Sequence, residues 1–122
     1  MYSFFMTGTD TDVGKTFIAC GILAAFNQKG LKTVGYKPIS AGCDRVGEQL
    51  ENADAKSLLA ASSLKVTLDE VNPIAYEPPI APHIAAAQVN SVIRPQDIVT
   101  GWHHLAEKSP DVLLTERAGG WQ

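Results

Sequence analysis

The sequence predicts an α/β fold with a mostly parallel sheet. Three observations lead there. Short apolar runs alternate with helical patterns, the first run passes straight into a glycine-bearing turn, and a helix begins where that turn ends. The chain has 122 residues, which suits one domain over 1–122. Taken in order, Tyr2–Met6 is apolar and aromatic and reads as a buried first strand. Thr16 to about Gln28 reads as a helix, stopped by Gly30. Thr33–Tyr36 is a second strand, ended by Pro38. The polar stretch Ser40–Glu51 reads as loop, and Asn52 can cap a helix over Ala53–Ser62. Pro73, Pro78, Pro79 and Pro82 punctuate an irregular segment around a short strand at Ile74–Tyr76. Helical patterns follow at Ile84–Val89 and Gln96–Lys108, and Asp111–Thr115 is the last clear strand.

Composition excludes several classes of function. Apolar residues make up 45% and charged residues 19%, an ordinary globular balance rather than a disordered one. A formal net charge of −3 gives no broad attraction for nucleic acid or an anionic membrane surface. No apolar run reaches the roughly 20 residues of a membrane span, and the first residues lack a basic signal-peptide region. The expectation is a soluble, cytoplasmic domain with no nucleic-acid or membrane partner. Cys20 and Cys43 are too few and too far apart for a disulfide scaffold or a zinc site.

The most informative segment is Gly8-Thr9-Asp10-Thr11-Asp12-Val13-Gly14-Lys15-Thr16. A strand runs into it and a helix leaves it, the setting of a phosphate-binding loop. Backbone N–H groups must converge on phosphate oxygens there, so glycine is wanted where the chain turns tightly. The helix presents its positive N-terminus to the anion. Lys15 can reach the terminal phosphates, and the Thr16 hydroxyl can ligand Mg2+. The usual motif has glycine where Thr9 stands, with Gly8 one place earlier. These features narrow the expected architecture to a P-loop NTPase-like three-layer fold.

Five segments resemble the dethiobiotin synthetase family. They are TGTDTDVGKT (Thr7–Thr16), GYKPISAG (Gly35–Gly42), the Asn52–Asp54 region, VNPIAYEPPIAPHIAA (Val71–Ala86) and LLTERAGGW (Leu113–Trp121). They stand in the family's order along the whole chain. The resemblance implies a cyclo-ligase of biotin biosynthesis: diaminopelargonic acid, CO2 and ATP give a cyclic urea, ADP and phosphate. It implies ATP as co-substrate, Mg2+ as cofactor and a homodimer in the full-length family. Asp12, Val13, Gly14, Lys15, Thr16 and Phe17 match the nucleotide-phosphate segment, together with Glu116, Arg117, Ala118 and Gly119. Lys15 and Lys37 match the catalytic lysines. Thr16, Asp54 and Glu116 match the metal partners, whose hard oxygens suit Mg2+. Thr11, Lys37, Ser40 and Ala41 match the substrate-binding positions.

Two departures from the family pattern fall at the site. Its Lys-Pro-hydrophobic-Ala-Ser-Gly run stands here as Lys37-Pro38-Ile39-Ser40-Ala41-Gly42, so the serine is one place early. On extended chain that shift turns the hydroxyl to the opposite side. The Glu-Gly-Ala-Gly-Gly run reads Glu116-Arg117-Ala118-Gly119-Gly120, which puts bulk and fixed charge where glycine allows close approach. Family members are longer, and their further part supplies strands, adenine-recognition residues and much of the dimer contact. The expected sheet is therefore incomplete at the C-terminus. Two other readings stand beside the ligase. One is a truncated or degenerate P-loop protein that binds nucleotide without turnover. The other is a P-loop ATPase of the partitioning type, against which the lack of a second lysine near the loop's start argues. Among the remaining residues, Cys20 reads as core packing, while nothing near Cys43 in its polar loop activates it. His103 and His104 read as surface residues, and Trp102 and Trp121 as packing. His83 either shapes a substrate pocket or packs and caps.

Overall fold

The computed structural model describes residues 1–7, 12–79, 82–89 and 92–117, with the backbone alone at 12 and 13. Strand β1 (Tyr2–Met6) is followed by helix α1 (Asp12–Gln28) and strand β2 (Thr33–Tyr36). Gly30, at φ 78°, takes the left-handed backbone that ends α1. After the short β3 (Ile39–Ser40), β4 (Asp44–Val46) and β5 (Gln49–Glu51) form an antiparallel hairpin. Helix α2 (Ala53–Ala61) starts at Asn52, whose side chain accepts from the Ala55 amide at 2.9 Å. Helix α3 (Leu68–Val71) opens on a capping box between Thr67 and Glu70. Strand β6 (Ile74–Ala75) pairs with β3, and α4 (Pro82–Gln88), α5 (Pro95–Ala106) and β7 (Val112–Glu116) follow.

The main sheet is parallel, in the order β1-β7-β2. Strand β7, last in sequence, is inserted between the first two. Alternation along it sends neighbouring leucines to opposite faces. Leu114 packs with Ala19, Leu23, Leu58 and Val71 under α1, α2 and α3. Leu113 packs with Val34, Tyr36 and Leu105 under α5. Helices thus cover both faces, as the three-layer expectation requires. The register sets Met6 beside Glu116 and Tyr36 beside Thr115, so all three strands finish at one edge. At the opposite edge Asp111 ties the strand starts together. Its carboxylate and carbonyl accept from the Lys32 and Tyr2 amides, each at 2.8 Å, and its own amide donates to the Lys32 carbonyl.

Three sequence expectations need correction. Strand β1 forms over Tyr2–Met6 but is not buried. Among the described residues β7 is its one paired neighbour, and Phe5 is 69% exposed while Phe4 stacks on Phe26. The stretch Ser40–Glu51 is not all loop. Gly47, at φ 65°, turns the β4–β5 hairpin within two residues, a place that favours glycine. Cys43 is buried rather than set in a solvated loop, with Sγ 3.1 Å from Ser40 Oγ. Other boundaries move by a few residues: α5 begins at Pro95, and Glu116 is the last residue of β7 rather than the first beyond it. His103 and His104 are exposed, and Trp102 packs against the α5-side core. Trp121 lies outside the described residues. Among the described residues no helix is long and apolar enough to cross a membrane.

The contact between α5 and β2 yields a test. Tyr36 Oη donates to the Ile98 carbonyl at 2.7 Å, and a Cβ on Gly101 would collide with the Tyr36 hydroxyl oxygen. Gly101→Ala is expected to destabilise the fold by about 1–3 kcal/mol through overpacking, despite alanine's better helix propensity. Gly21→Ala, at a helical position with nothing within 4 Å, is expected to stabilise by about 0.5–1 kcal/mol. Urea unfolding of both variants checks the contrast, and a stabilised Gly101→Ala would show that α5 can move away from Tyr36.

Candidate active site

Parallel α/β sheets place reactive groups beyond the carboxyl ends of their strands. Here three such ends meet. Strand β1 leads towards α1, whose first turns carry Lys15 and Thr16; β2 leads into Lys37; β7 ends on Glu116. Lys15, Thr16, Lys37 and Glu116 are all buried.

Glu116 is the common partner. Thr16 Oγ1 donates to its Oε1 at 2.7 Å, and Lys37 Nζ lies 3.4 Å from the same oxygen. Lys15 Nζ donates to the backbone carbonyl of the next residue, Arg117. The Arg117 amide donates to the Met6 carbonyl at 3.1 Å, which extends the β1–β7 ladder to the brink of the site. Burial pushes the Glu116 carboxyl above its usual range, the Lys37 charge and the Thr16 hydrogen bond pull it down, and Asp54 pushes it up. Burial dominates. Asp54 sits in the first turn of α2, half-buried, and shares with Thr16 and Cys20 the lining of a groove of about 640 Å3 between α1 and α2. The Cys20 thiol is itself pushed up by burial and by the charges of Glu116 and Asp54, the opposite of an activated nucleophile.

The arrangement fits a hard divalent cation. Glu116 Oε2 is buried and has no hydrogen-bond partner among the described residues, while Oε1 is already occupied. A lone pair left unmatched in that position suits a metal or its water. With Thr16 and Asp54 alongside, the donors are few and all oxygen, as Mg2+ takes when phosphates supply the rest. Among the described residues no group of three or more His, Cys, Asp or Glu could form an all-protein cage.

The structure brings together Lys15, Thr16, Lys37 and Glu116, with Asp54 at the margin. Gly14 and Phe17 lie exposed at the head of α1. Asp12 and Val13 are its first residues. Ser40 is fully buried and donates to Asn72 Oδ1 at 2.8 Å, so its hydroxyl is engaged within the fold; Ala41 is half-buried. The Arg117 residue is exposed. Thr11, Ala118 and Gly119 lie outside the described residues. Asn72 is the participant that residue-by-residue reading passed over. Its Nδ2 donates to the Lys37 carbonyl at 2.7 Å. The one signal was its place in the VNPIAY run, which carries no chemical signature of its own.

Stability should report the state of Glu116. A raised folded-state value means that the folded chain keeps this proton to higher pH than the unfolded chain. The group's contribution is therefore present below the ordinary value of 4.5 and lost as pH rises through the raised one. Removing the neighbouring cation with Lys37→Met is expected to steepen that loss between pH 4.5 and 7, and Glu116→Gln to abolish it. Urea midpoints across that range decide, and a flatter profile for Lys37→Met would contradict the pairing.

Residues 2–122 match the family model described as an AAA domain. The chain is 50% identical to the ATP-dependent dethiobiotin synthetase BioD of Aeromonas hydrophila, over 98% of this chain and 53% of that one. It is 48% identical to the protein of the same name from Cellvibrio japonicus, over 98% and 52%. For that of Alteromonas mediterranea the identity is 45%, over 100% and 54%. The chain spans about half the length of the curated relatives it matches. It belongs to the AAA-domain family and is a homologue, over that half, of the dethiobiotin synthetases.

Proposed function

We propose that this chain carries the phosphate-, metal- and lysine-bearing part of an ATP-dependent dethiobiotin synthetase site. The observation that carries the reading is the convergence of Lys15, Thr16 and Lys37 on Glu116 and the Arg117 carbonyl, at the carboxyl edge of a parallel sheet. In this reading one amine of diaminopelargonic acid adds to CO2 and loses a proton, giving a carbamate. A carbamate oxygen attacks the γ-phosphorus of ATP and ADP leaves. The second amine then attacks the carbamoyl carbon, phosphate departs, and loss of a proton completes the cyclic urea.

The protein's part in such a sequence is positioning and charge stabilisation. Residues Asp12 to Phe17, with Glu116, Arg117, Ala118 and Gly119, form the proposed nucleotide side. Lys15, which donates to the Arg117 carbonyl, is placed to donate to a phosphate oxygen in a charge-assisted bond. Lys37 holds positive charge between carbamate and γ-phosphate, and Thr11, Ser40 and Ala41 complete the substrate side. Mg2+ held by Thr16, Asp54 and Glu116 would offset negative charge on the phosphates. A second reading, nucleotide binding without turnover, is favoured by one observation: Arg117 stands where the resemblance expects glycine.

One experiment separates the two readings. The purified chain is given ATP, Mg2+, bicarbonate and diaminopelargonic acid, and the cyclic urea is sought by mass. Product formation supports the synthetase reading, whereas bound ATP without product selects the binding module. Where product forms, Lys37→Ala is expected to lower its rate by about 10²–10³ with ATP binding retained. Arg117→Gly is expected to raise turnover, and a fall would show that the arginine assists phosphate binding.

A further inference from the structure

The segment that carries Lys37 is not held by β2 alone. Beyond Tyr36 the chain leaves the main sheet, and its next residues pair with β6. Asn72 stands at that departure. Its Nδ2 donates to the Lys37 carbonyl at 2.7 Å and towards the Ile74 carbonyl at 3.4 Å, while its Oδ1 accepts from Ser40 Oγ at 2.8 Å. Both amide hydrogens and the carbonyl oxygen are therefore used. The Lys37 amide in turn donates to the Val71 carbonyl at 2.8 Å, so residues 71 and 72 grip both backbone groups of Lys37. Asn72, Lys37 and Ser40 are all nearly or fully buried, and inside the protein a missing partner is costly.

We infer that Asn72 is a positioning residue for Lys37: its amide fixes the backbone from which the Lys37 ammonium reaches Glu116. The inference rests on Lys37 being the lysine of the proposed site. Asparagine suits the place because one planar group both donates to a carbonyl and accepts from a hydroxyl. Aspartate keeps the acceptor facing Ser40 but sets a second acceptor against the Lys37 carbonyl. A leucine of similar size would leave both partners unmatched. The same contact explains the burial of Ser40, whose hydroxyl completes the Asn72 amide.

The test compares Asn72→Asp, Asn72→Ala and Ser40→Ala in the full chain, using lysines labelled with 13C at Cε. Lys37→Arg and Lys15→Arg identify the two signals. In both Asn72 variants the Lys37 signal is expected to shift, while the Lys15 signal and ATP affinity stay as they were. Labelling of the Lys37 amine by trinitrobenzenesulfonate is expected to quicken about fivefold, the factor one hydrogen bond is worth. Ser40→Ala, which loosens Asn72 without removing its bond to Lys37, should move the signal less. If Asn72→Asp does not fold, Ser40→Ala carries the test, and an unmoved Lys37 signal there overturns the inference. So does an unmoved signal in folded Asn72→Asp. A shift shared equally by Lys15 also overturns it, because that marks general loosening. Failure of diaminopelargonic acid with bicarbonate to perturb Lys37 in the unmodified chain would count against the synthetase reading, and leaves the Asn72 result standing.

Discussion

A buried carboxylate at the end of β7 is the constraint on which the rest of the structure depends. Glu116 has no exposure, and an unpaired charge in such a place is costly. Its partners are 100 and 79 residues away in sequence, Thr16 on the first helix and Lys37 beyond the second strand. Satisfying one carboxylate therefore fixes where α1 begins, where β2 ends and which strand lies between β1 and β2. Even then one of its oxygens has no hydrogen-bond partner among the described residues. An unmatched carboxylate oxygen in that position suits a metal or its water.

The two edges of the sheet divide the work. At the amino edge, Asp111 spends its carboxylate, carbonyl and amide on Lys32 and Tyr2, binding the starts of all three strands with short hydrogen bonds. At the carboxyl edge the corresponding groups are lysines and acids whose contacts can be exchanged. Between them, Leu113 and Leu114 anchor β7 to opposite helical layers. The rigid middle lets the open edge hold charged groups within hydrogen-bond distance without collapsing them into a fully satisfied cluster.

Much of this was legible in the sequence because the signals were local. The GKT turn, the Asn52 cap and the apolar Val112–Leu114 run each announce themselves within a few residues, and the fold class follows from their order. Lys37, Asp54 and Glu116 were found by resemblance, since a lysine at a strand end or an acid in a first helical turn has an ordinary structural role as well. What escaped depended on partners far away in sequence. The exposure of Phe5 follows from which strand occupies each side of β1, and no periodicity within Tyr2–Met6 records that. Asn72 works through the Lys37 carbonyl, 35 residues distant. The β4–β5 hairpin was hidden because its strands are short and polar, so alternation had no apolar face to mark; only Gly47 signalled the turn.

The charges at the carboxyl edge carry one further consequence for the proposed reaction. Among the described residues, two lysines, Lys15 and Lys37, and two acids, Glu116 and Asp54, stand at this edge. In that reaction polyphosphate brought alone would set its charge against Glu116 and Asp54. Bringing a divalent cation alone would leave Lys37 competing with it for Glu116. In the proposed reaction the acids and Thr16 would hold the cation, and the lysines would turn to phosphate and carbamate. Under the proposed function the arrangement would therefore suit the metal–nucleotide complex, through mutual exchange of partners rather than through any single strong contact.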